Sequence, residues 1–321
     1  MKRLILGAAL AALTACAQPA ALPKGPMAAG PGITITAVPV PLNPQDPSQD
    51  RIGDFVYAGG LALSSDQTSR LHGLSDLRIS PDGTLVSVSD EGDLLETTIL
   101  LDKAGRLVGV GPGKMTVLAG PDGKPLQGKA EADSEGLAVM PNGDRLVSFE
   151  RIDRILLYPA KGGLPRVVPA PVGANFPVNG GMEALAFDPA VGPDGYITAG
   201  EDSGETWTCR LSAPCVKGPT LEKPVEFGVV AVNPLADGNT AWLFRAWDPV
   251  RGSRITLKIL GPAGEVARMD IAKPLTVDNI EGVSAVPNKD GSIRFYLISD
   301  DNFSNSQKTI LLAFDWKPSK H

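Results

Sequence analysis

A unit of about 50 residues recurs along this chain, and its turns limit the fold more than any other feature. Leu77-Arg78-Ile79-Ser80-Pro81-Asp82-Gly83 is followed by LVSVSD, and Leu137-Ala138-Val139-Met140-Pro141-Asn142-Gly143 by DRLVSFE. Leu185-Ala186-Phe187-Asp188-Pro189 leads into GYITAGE, and Val283-Ser284-Ala285-Val286-Pro287-Asn288 into KDGSIRFYLISD. A degenerate copy begins at Val229 and runs through Pro234 into ADGNTAWLFRAWD. The anchors Leu77, Leu137, Leu185, Val230 and Val283 stand 60, 48, 45 and 53 residues apart. In each unit a short apolar run ends at a proline, which has no N–H for a ladder. Asp-Gly or Asn-Gly then makes the turn, with a residue that tolerates positive φ. The next run returns beside the first.

Short runs of Val, Ile, Leu and Thr separated by such turns are an all-β pattern, and no stretch has a convincing helical period. The runs include Ile33–Val40, Thr84–Ser89, Arg145–Phe149, Ile155–Tyr158, Ala241–Phe244, Ile255–Ile259 and Phe295–Ser299. Repeats of this length, four short strands each, are propeller blades. Five anchors plus an N-terminal unit over Ile33–Leu63 predict six blades. The last run, Ile310–Phe314, is placed to pair with the first blade and close the ring. The 36 Gly and 29 Pro lack a Gly-x-y period, so they indicate turns rather than collagen. At 43% hydrophobic residues, the chain can build a core.

The N-terminus, MKRLILGAALAALTACAQPA, has a basic start and an apolar stretch too short to span a bilayer. It reads as a secretory signal over 1–15, and Leu13-Thr14-Ala15-Cys16 resembles a bacterial lipoprotein box. Cleavage there leaves Cys16 lipidated and removes Lys2 and Arg3, taking the side-chain charge from −6 to −8. Residues 16–32, rich in Pro, Ala and Gly, read as a tether, and 33–321 as one propeller domain. The expected place is the cell envelope of a Gram-negative bacterium. Ala17 after the cysteine fits the periplasmic side of the outer membrane. The bilayer is then a partner through the lipid alone, and the propeller is expected to be a monomer. Cys209 and Cys215, in TWTCRLSAPC, are expected to pair in that oxidising compartment.

With His72 and His321 the only histidines, a three-His zinc site is excluded. The acidic balance and the lack of a basic run make nucleic acid a poor partner, and none is expected. Carboxylates, in contrast, recur in register. Two positions before the anchors stand Ser75, Glu135, Glu183 and Glu281. At the far ends of the hairpins stand Asp90-Glu91, Glu150-Arg151, Glu201-Asp202 and Asp300-Asp301. Equivalent blade positions converge on the central channel, so these residues predict an acidic ring at one mouth. Crowded carboxylates must share protons, pair with cations or bind a hard metal. Oxygen donors without imidazole or thiolate suit Ca²⁺ best, with Mg²⁺ or Mn²⁺ poorer fits. Glu135, Glu183, Glu281, Asp300 and Asp90 are the candidate metal ligands. Glu150 and Glu201 are candidate proton acceptors, and His72 is a further candidate base. Arg151, Arg245 and Lys308 are candidates to contact a small anionic substrate. A Gly-x-Ser-x-Gly elbow is absent, which argues against Ser-His-Asp hydrolysis.

These stretches resemble the bacterial "esterase-like activity of phytase" family of phytase-like propellers. The likeness is carried by HGLSDLRISPDGTLVSVSDEG (His72–Gly92), DSEGLAVMPNGDRLVSFERIDRILLY (Asp133–Tyr158), NGGMEALAF (Asn179–Phe187) and the closing DNIEGVSAVPNKDGSIRFYLISDDNFSNSQKTILLAFD (Asp278–Asp315). The resemblance implies a phosphoesterase-type site marked by Glu135, Glu150, Glu183, Glu281, Asp300 and Asn302. The chain departs from the family pattern in having Glu183-Ala184 rather than Glu-Gly. It departs again at the fourth unit, which reads Phe244-Arg245-Ala246-Trp247 with no such Glu. Few Lys and Arg stand near the site, which disfavours phytate itself. The leading expectation is divalent-metal-dependent hydrolysis of a phosphate ester. The alternatives are a non-enzymatic envelope propeller that binds a ligand or protein, and a Ca²⁺-dependent carboxylesterase or lactonase.

Overall fold

The computed structural model describes residues 32–318. The signal, Cys16 and the tether up to residue 31 lie outside the described residues. What is described forms a β-propeller of five antiparallel sheets. Blade one takes strands Leu74–Ile79, Thr84–Ser89, Asp93–Leu101 and Gly113–Val117 from the channel outward. Blade two takes Ser134–Val139, Arg145–Phe149, Arg154–Tyr158 and Arg166–Val168. Blade three takes Ala184–Phe187, Gly195–Ala199, Thr206–Arg210 and Ala213–Lys217. Blade four takes Gly228–Pro234, Thr240–Asp248, Gly252–Gly261 and Gly264–Ala272. Blade five takes Asn279–Pro287, Ile293–Asp300 and Thr309–Trp316, and its fourth strand is Phe55–Ser64 from the other end of the chain.

The blade count therefore corrects the expectation of six. The N-terminal unit has no channel strand of its own. The run Ile33–Val40 is split between two blades: Gly32–Ile33 edges blade one, while Thr36–Pro39 pairs with Phe55–Ser64 in blade five. The last run, Thr309–Trp316, does close the ring, but by pairing with that N-terminal strand inside blade five. Pairing strands from both chain ends in one blade closes the ring and leaves each blade only its outer edge. Each channel strand packs on the next, and Asn279–Pro287 packs on Leu74–Ile79 to complete the circle. Five apolar clusters fill the five interfaces between neighbouring blades. Leu137, Val147, Phe149 and Leu156 of blade two, for example, meet Val86, Val88 and Leu94 of blade one. This burial is the main stabilising term, and it is greatest at the two interfaces that flank blade five.

The turns behave as their chemistry demands. Gly83 and Gly143 adopt φ of 88° and 85°. Their N–H groups donate to Ser80 and Met140 at 2.9 and 2.8 Å, closing the Pro-Asp-Gly and Pro-Asn-Gly hairpins. Cys209 and Cys215 are joined in a disulfide across the hairpin of blade three. Among the described residues, no helix is long and apolar enough to cross a membrane.

Candidate active site

The channel strands do not start flat. A β-bulge interrupts register between Leu74 and Asp76, between Ser134 and Leu137, between Val229 and Ala231, and between Ile280 and Gly282. A bulge inserts one residue and re-aims its side chain. The bulged position is Ser75, Glu135, Val230 and Glu281 in blades one, two, four and five. Glu183 holds it in blade three, just ahead of the strand at Ala184. Blade four is thus in register through Val232 opposite Trp242, not through Val230 as its sequence suggested.

A second tier lies across the hairpins. Asp90, Glu150 and Glu201 donate backbone N–H to Gly73, Asp133 and Gly181, and Asp300 and Arg245 pair with Asn279 and Gly228. One residue per blade therefore follows the end of the second strand's core: Asp90, Glu150, Glu201, Arg245 and Asp300. With Asp133 the two tiers hold eight carboxylates, answered among the described residues by three nearby cations, Lys129, Arg151 and Arg245. The glycines opposite make room: a Cβ on Gly228 would lie 2.5 Å from the Glu201 side chain.

The carboxylates are not equivalent. Oxygens of Asp133, Glu135 and Glu150 all lie within 4.8 Å of one another, the closest such set among the described residues. Of the expected ligands Glu135, Glu183, Glu281, Asp300 and Asp90, only Glu135 belongs to this set. Glu281 is instead drawn to Arg245, and Asp133 takes its place through the bulge at Glu135. Asp133 is 1% exposed, bonded to Arg151 Nε at 2.6 Å and facing Lys129 Nζ at 2.6 Å. Lys129 also pairs with Asp90. Glu150 Oε1 accepts the N–H groups of Gly180 and Gly181. Arg245 donates to Glu201 at 2.9 Å, to Asn279 Oδ1 at 2.8 Å, and to Glu281. Arg151 and Arg245, expected to face a substrate anion, are thus each engaged by carboxylates of the chain itself. Glu183 is buried and has no hydrogen-bond or ion-pair partner among the described residues.

Burial sets the protonation. It lifts Glu281 to about 7 against the pull of Arg245, and Asp90 to about 6 against Lys129. Burial, then the neighbouring acids Glu281 and Asp133, raise Glu135 well above the usual range. Burial and Glu201 do the same to Glu183, and burial and Glu281 to Asp300. Burial opposes the charge on Arg245, but Glu281, Glu183 and Glu201 outweigh it.

His72 reaches the blade one to blade five side, outside the close carboxylate set. Its Nδ1 lies 2.6 Å from Asp301 Oδ2, and its ring centroid is 5.7 Å from that of Phe303. Asp301 also accepts Gly73 N–H and Thr309 Oγ1–H. Asn302 is exposed at φ 49°, and it acts through its backbone N–H on Asp300 at 2.6 Å. Lys308 is exposed, and its backbone N–H donates to Asp278. Sequence reasoning missed Asp133, although its motif Asp133-Ser134-Glu135 was in view. It also missed Asp76 and Arg78 deeper in the channel. Below the ring, Arg78 donates to the carbonyls of Leu185, Val232 and Val283 and to Asp76. A cavity of about 490 Å³ opens at the opposite mouth, lined by Phe187, Pro234, Leu235 and Pro287 with Arg78 among its walls. It is far poorer in acids than the ring.

A family model described as "Phytase-like: Esterase-like activity of phytase" matches residues 69–303. No curated protein matches the chain by sequence. Among solved structures, a protein provisionally described as a gluconolactonase is similar over 94% of this chain and 96% of its own, at 12% identity and a TM-score of 0.48. A streptogramin B lyase is similar over 88% of this chain and 98% of its own, at 11% identity and a TM-score of 0.42. A virginiamycin B lyase from Staphylococcus aureus is similar over 88% and 99%, at 10% identity and a TM-score of 0.44. These likenesses are distant and assign no chemistry to this chain.

Proposed function

The chain belongs to the phytase-like family, and from that premise we propose that it hydrolyses a phosphate ester at the acidic mouth with the help of a hard divalent cation. The observation that carries this reading is the Asp133, Glu135 and Glu150 set, three carboxylates within 4.8 Å of one another. Lys129 and Arg151 balance Asp133, whereas Glu135 and Glu150 have no ion-pair partner among the described residues, so a bound cation would let all three ionise together. The donors are all oxygen, which fits Ca²⁺ first and Mg²⁺ or Mn²⁺ less well. A buried Asp90 Oδ1 without a partner and an unpartnered Glu183 stand beside the set, as expected where a cation completes the charge balance.

Asp133, Glu135 and Glu150 would hold the ion. Once bound, it supplies charge screening, orientation of the phosphoryl oxygens and acidification of water. Glu183 is the candidate proton acceptor, because its carboxylate has no hydrogen-bond or ion-pair partner among the described residues, and burial and Glu201 raise its proton affinity. Glu201, expected in that role, is held by Arg245. Glu150 has one oxygen held by backbone amides. Arg151, whose side chain is 34% exposed, would steady a phosphoryl oxygen while it anchors Asp133.

A second reading, hydrolysis of a carboxylic ester or lactone, is favoured by one observation. All three cations near the ring are already paired with carboxylates, which leaves little positive charge for a dianion. Both readings suit a propeller on the periplasmic side of the envelope, the location proposed from the resemblance of Leu13–Cys16 to a lipoprotein box. The test is a panel of p-nitrophenyl phosphate, a phosphodiester, an acetate ester and a lactone, each with Ca²⁺ and with EDTA. Turnover of a phosphoester that EDTA abolishes is the expected result. Calcium-dependent turnover of the lactone alone supports the second reading. Bound calcium without turnover of any substrate indicates a binding propeller.

A further inference from the structure

We propose that Arg245 is a resident cation standing where blade four would otherwise help bind a divalent ion, so that the mouth takes one exchangeable ion, on the Asp133–Glu135–Glu150 side. The inference rests on the reading above that this mouth binds a divalent cation. It starts from the five-fold register. At the end of the second strand four blades present a carboxylate, and blade four presents Arg245. At the bulge three blades present Glu, and blade four presents Val230. Blade four has therefore exchanged two potential ligands for an apolar side chain and a positive charge.

That charge is built in rather than incidental. Its guanidinium is 20% exposed and donates to acceptors on two neighbouring blades: Glu201 at 2.9 Å on one side, Asn279 at 2.8 Å and Glu281 on the other. Asn279 in turn donates to Glu281 at 2.9 Å, fixing the carboxylate that Arg245 holds. A guanidinium stays protonated and keeps its fork geometry, so it neutralises these acids without exchanging. A divalent ion placed beside it would be repelled. On the Asp133 side the resident cations Lys129 and Arg151 engage Asp133 and Asp90, and among the described residues Glu135 and Glu150 have no ion-pair partner of their own. Between the two sides, Glu183 is 8% exposed, makes no hydrogen bond or ion pair among the described residues, and feels the charges of Glu201, Arg245, Glu135 and Glu281. Lys129 and Arg151 hold Asp133 from outside the set.

The test counts ions by isothermal titration with Ca²⁺ and by elemental analysis after dialysis, on the purified wild-type chain and Arg245→Met. One Ca²⁺ per wild-type chain and two per variant chain is the expected result. One ion in both, or two in the wild type, overturns the inference and leaves the metal-dependent reading intact. No ion in the wild type, whatever Arg245→Met binds, overturns both the inference and the metal-dependent reading. Should Arg245→Met not fold, two milder variants decide the matter. Glu135→Gln should weaken Ca²⁺ binding roughly tenfold or more, and Glu281→Gln should change it by less than about threefold. Equal losses would overturn the inference.

Discussion

Arg78 holds the channel together from a single residue. It lies on blade one, yet its guanidinium binds carbonyls of Leu185, Val232 and Val283 on three other blades, and Asp76 beside it caps Leu137 N–H of the fourth at 2.9 Å. One buried pair thus touches every channel strand. Removing one partner strands a buried charge, so Arg78→Met should cost about 3–5 kcal/mol in urea unfolding. The double change Asp76→Asn with Arg78→Met should recover part of that loss, and an unchanged midpoint for Arg78→Met would refute the role. Glu183 behaves oppositely, because it has no partner to lose. Glu183→Gln should weaken ion binding about tenfold, or about 1.4 kcal/mol of stabilisation in Ca²⁺. The melting temperature would then drop by roughly 2–5 °C in Ca²⁺ and stay level or rise in EDTA. Equal wild-type midpoints in Ca²⁺ and EDTA would end the metal reading.

Among the elements, the bulges and the closing strand matter most. A regular channel strand alternates its side chains between faces, so Glu135 and Leu137 would share a face. The extra residue in the bulge breaks that alternation, which lets Leu137 enter the core at 0% exposure while Glu135 faces the ring. Closure depends on Phe55–Ser64, whose Leu61 is fully buried opposite Leu311. Leu61→Ala should destabilise the protein by about 2–5 kcal/mol. Because this strand joins the two ends of the chain, the loss should appear as one cooperative transition seen by both fluorescence and circular dichroism. Separate transitions would show that blade five folds without its N-terminal strand.

At the scale of the whole molecule, the crowding of acids at one mouth ties stability to pH. Asp90 and Glu281 titrate near about 6 and 7 in the folded protein, above their unfolded values near about 4. The folded state then keeps protons that the unfolded state has released. The resulting stabilisation is full below the unfolded pKa and disappears as pH rises through 6 to 7. In EDTA the melting temperature should therefore fall between about pH 5 and pH 8. Saturating Ca²⁺ should flatten the slope, because the ion replaces the protons. A slope of the opposite sign in EDTA would show that the acids are ionised and compensated within the protein.

By itself the sequence determined what depends on local chemistry and strict repetition. Pro-Asp-Gly and Pro-Asn-Gly make the same hairpin wherever they occur, so the all-β propeller and the register of Glu135, Glu183 and Glu281 could be read directly. The blade count could not be. Whether Ile33–Leu63 forms a blade or lends its strands to others depends on pairing between residues some 250 positions apart, such as Leu61 with Leu311. No local pattern encodes that choice; shared burial across the closing interface decides it. The division of labour among the acids was equally hidden. Asp133 joins Glu135 only because a bulge re-aims the strand, and Arg245 captures Glu281 and Glu201 only because three blades converge on one axis. Contacts between side chains of different blades are set by the ring's closure, and that is a property of the tertiary structure alone.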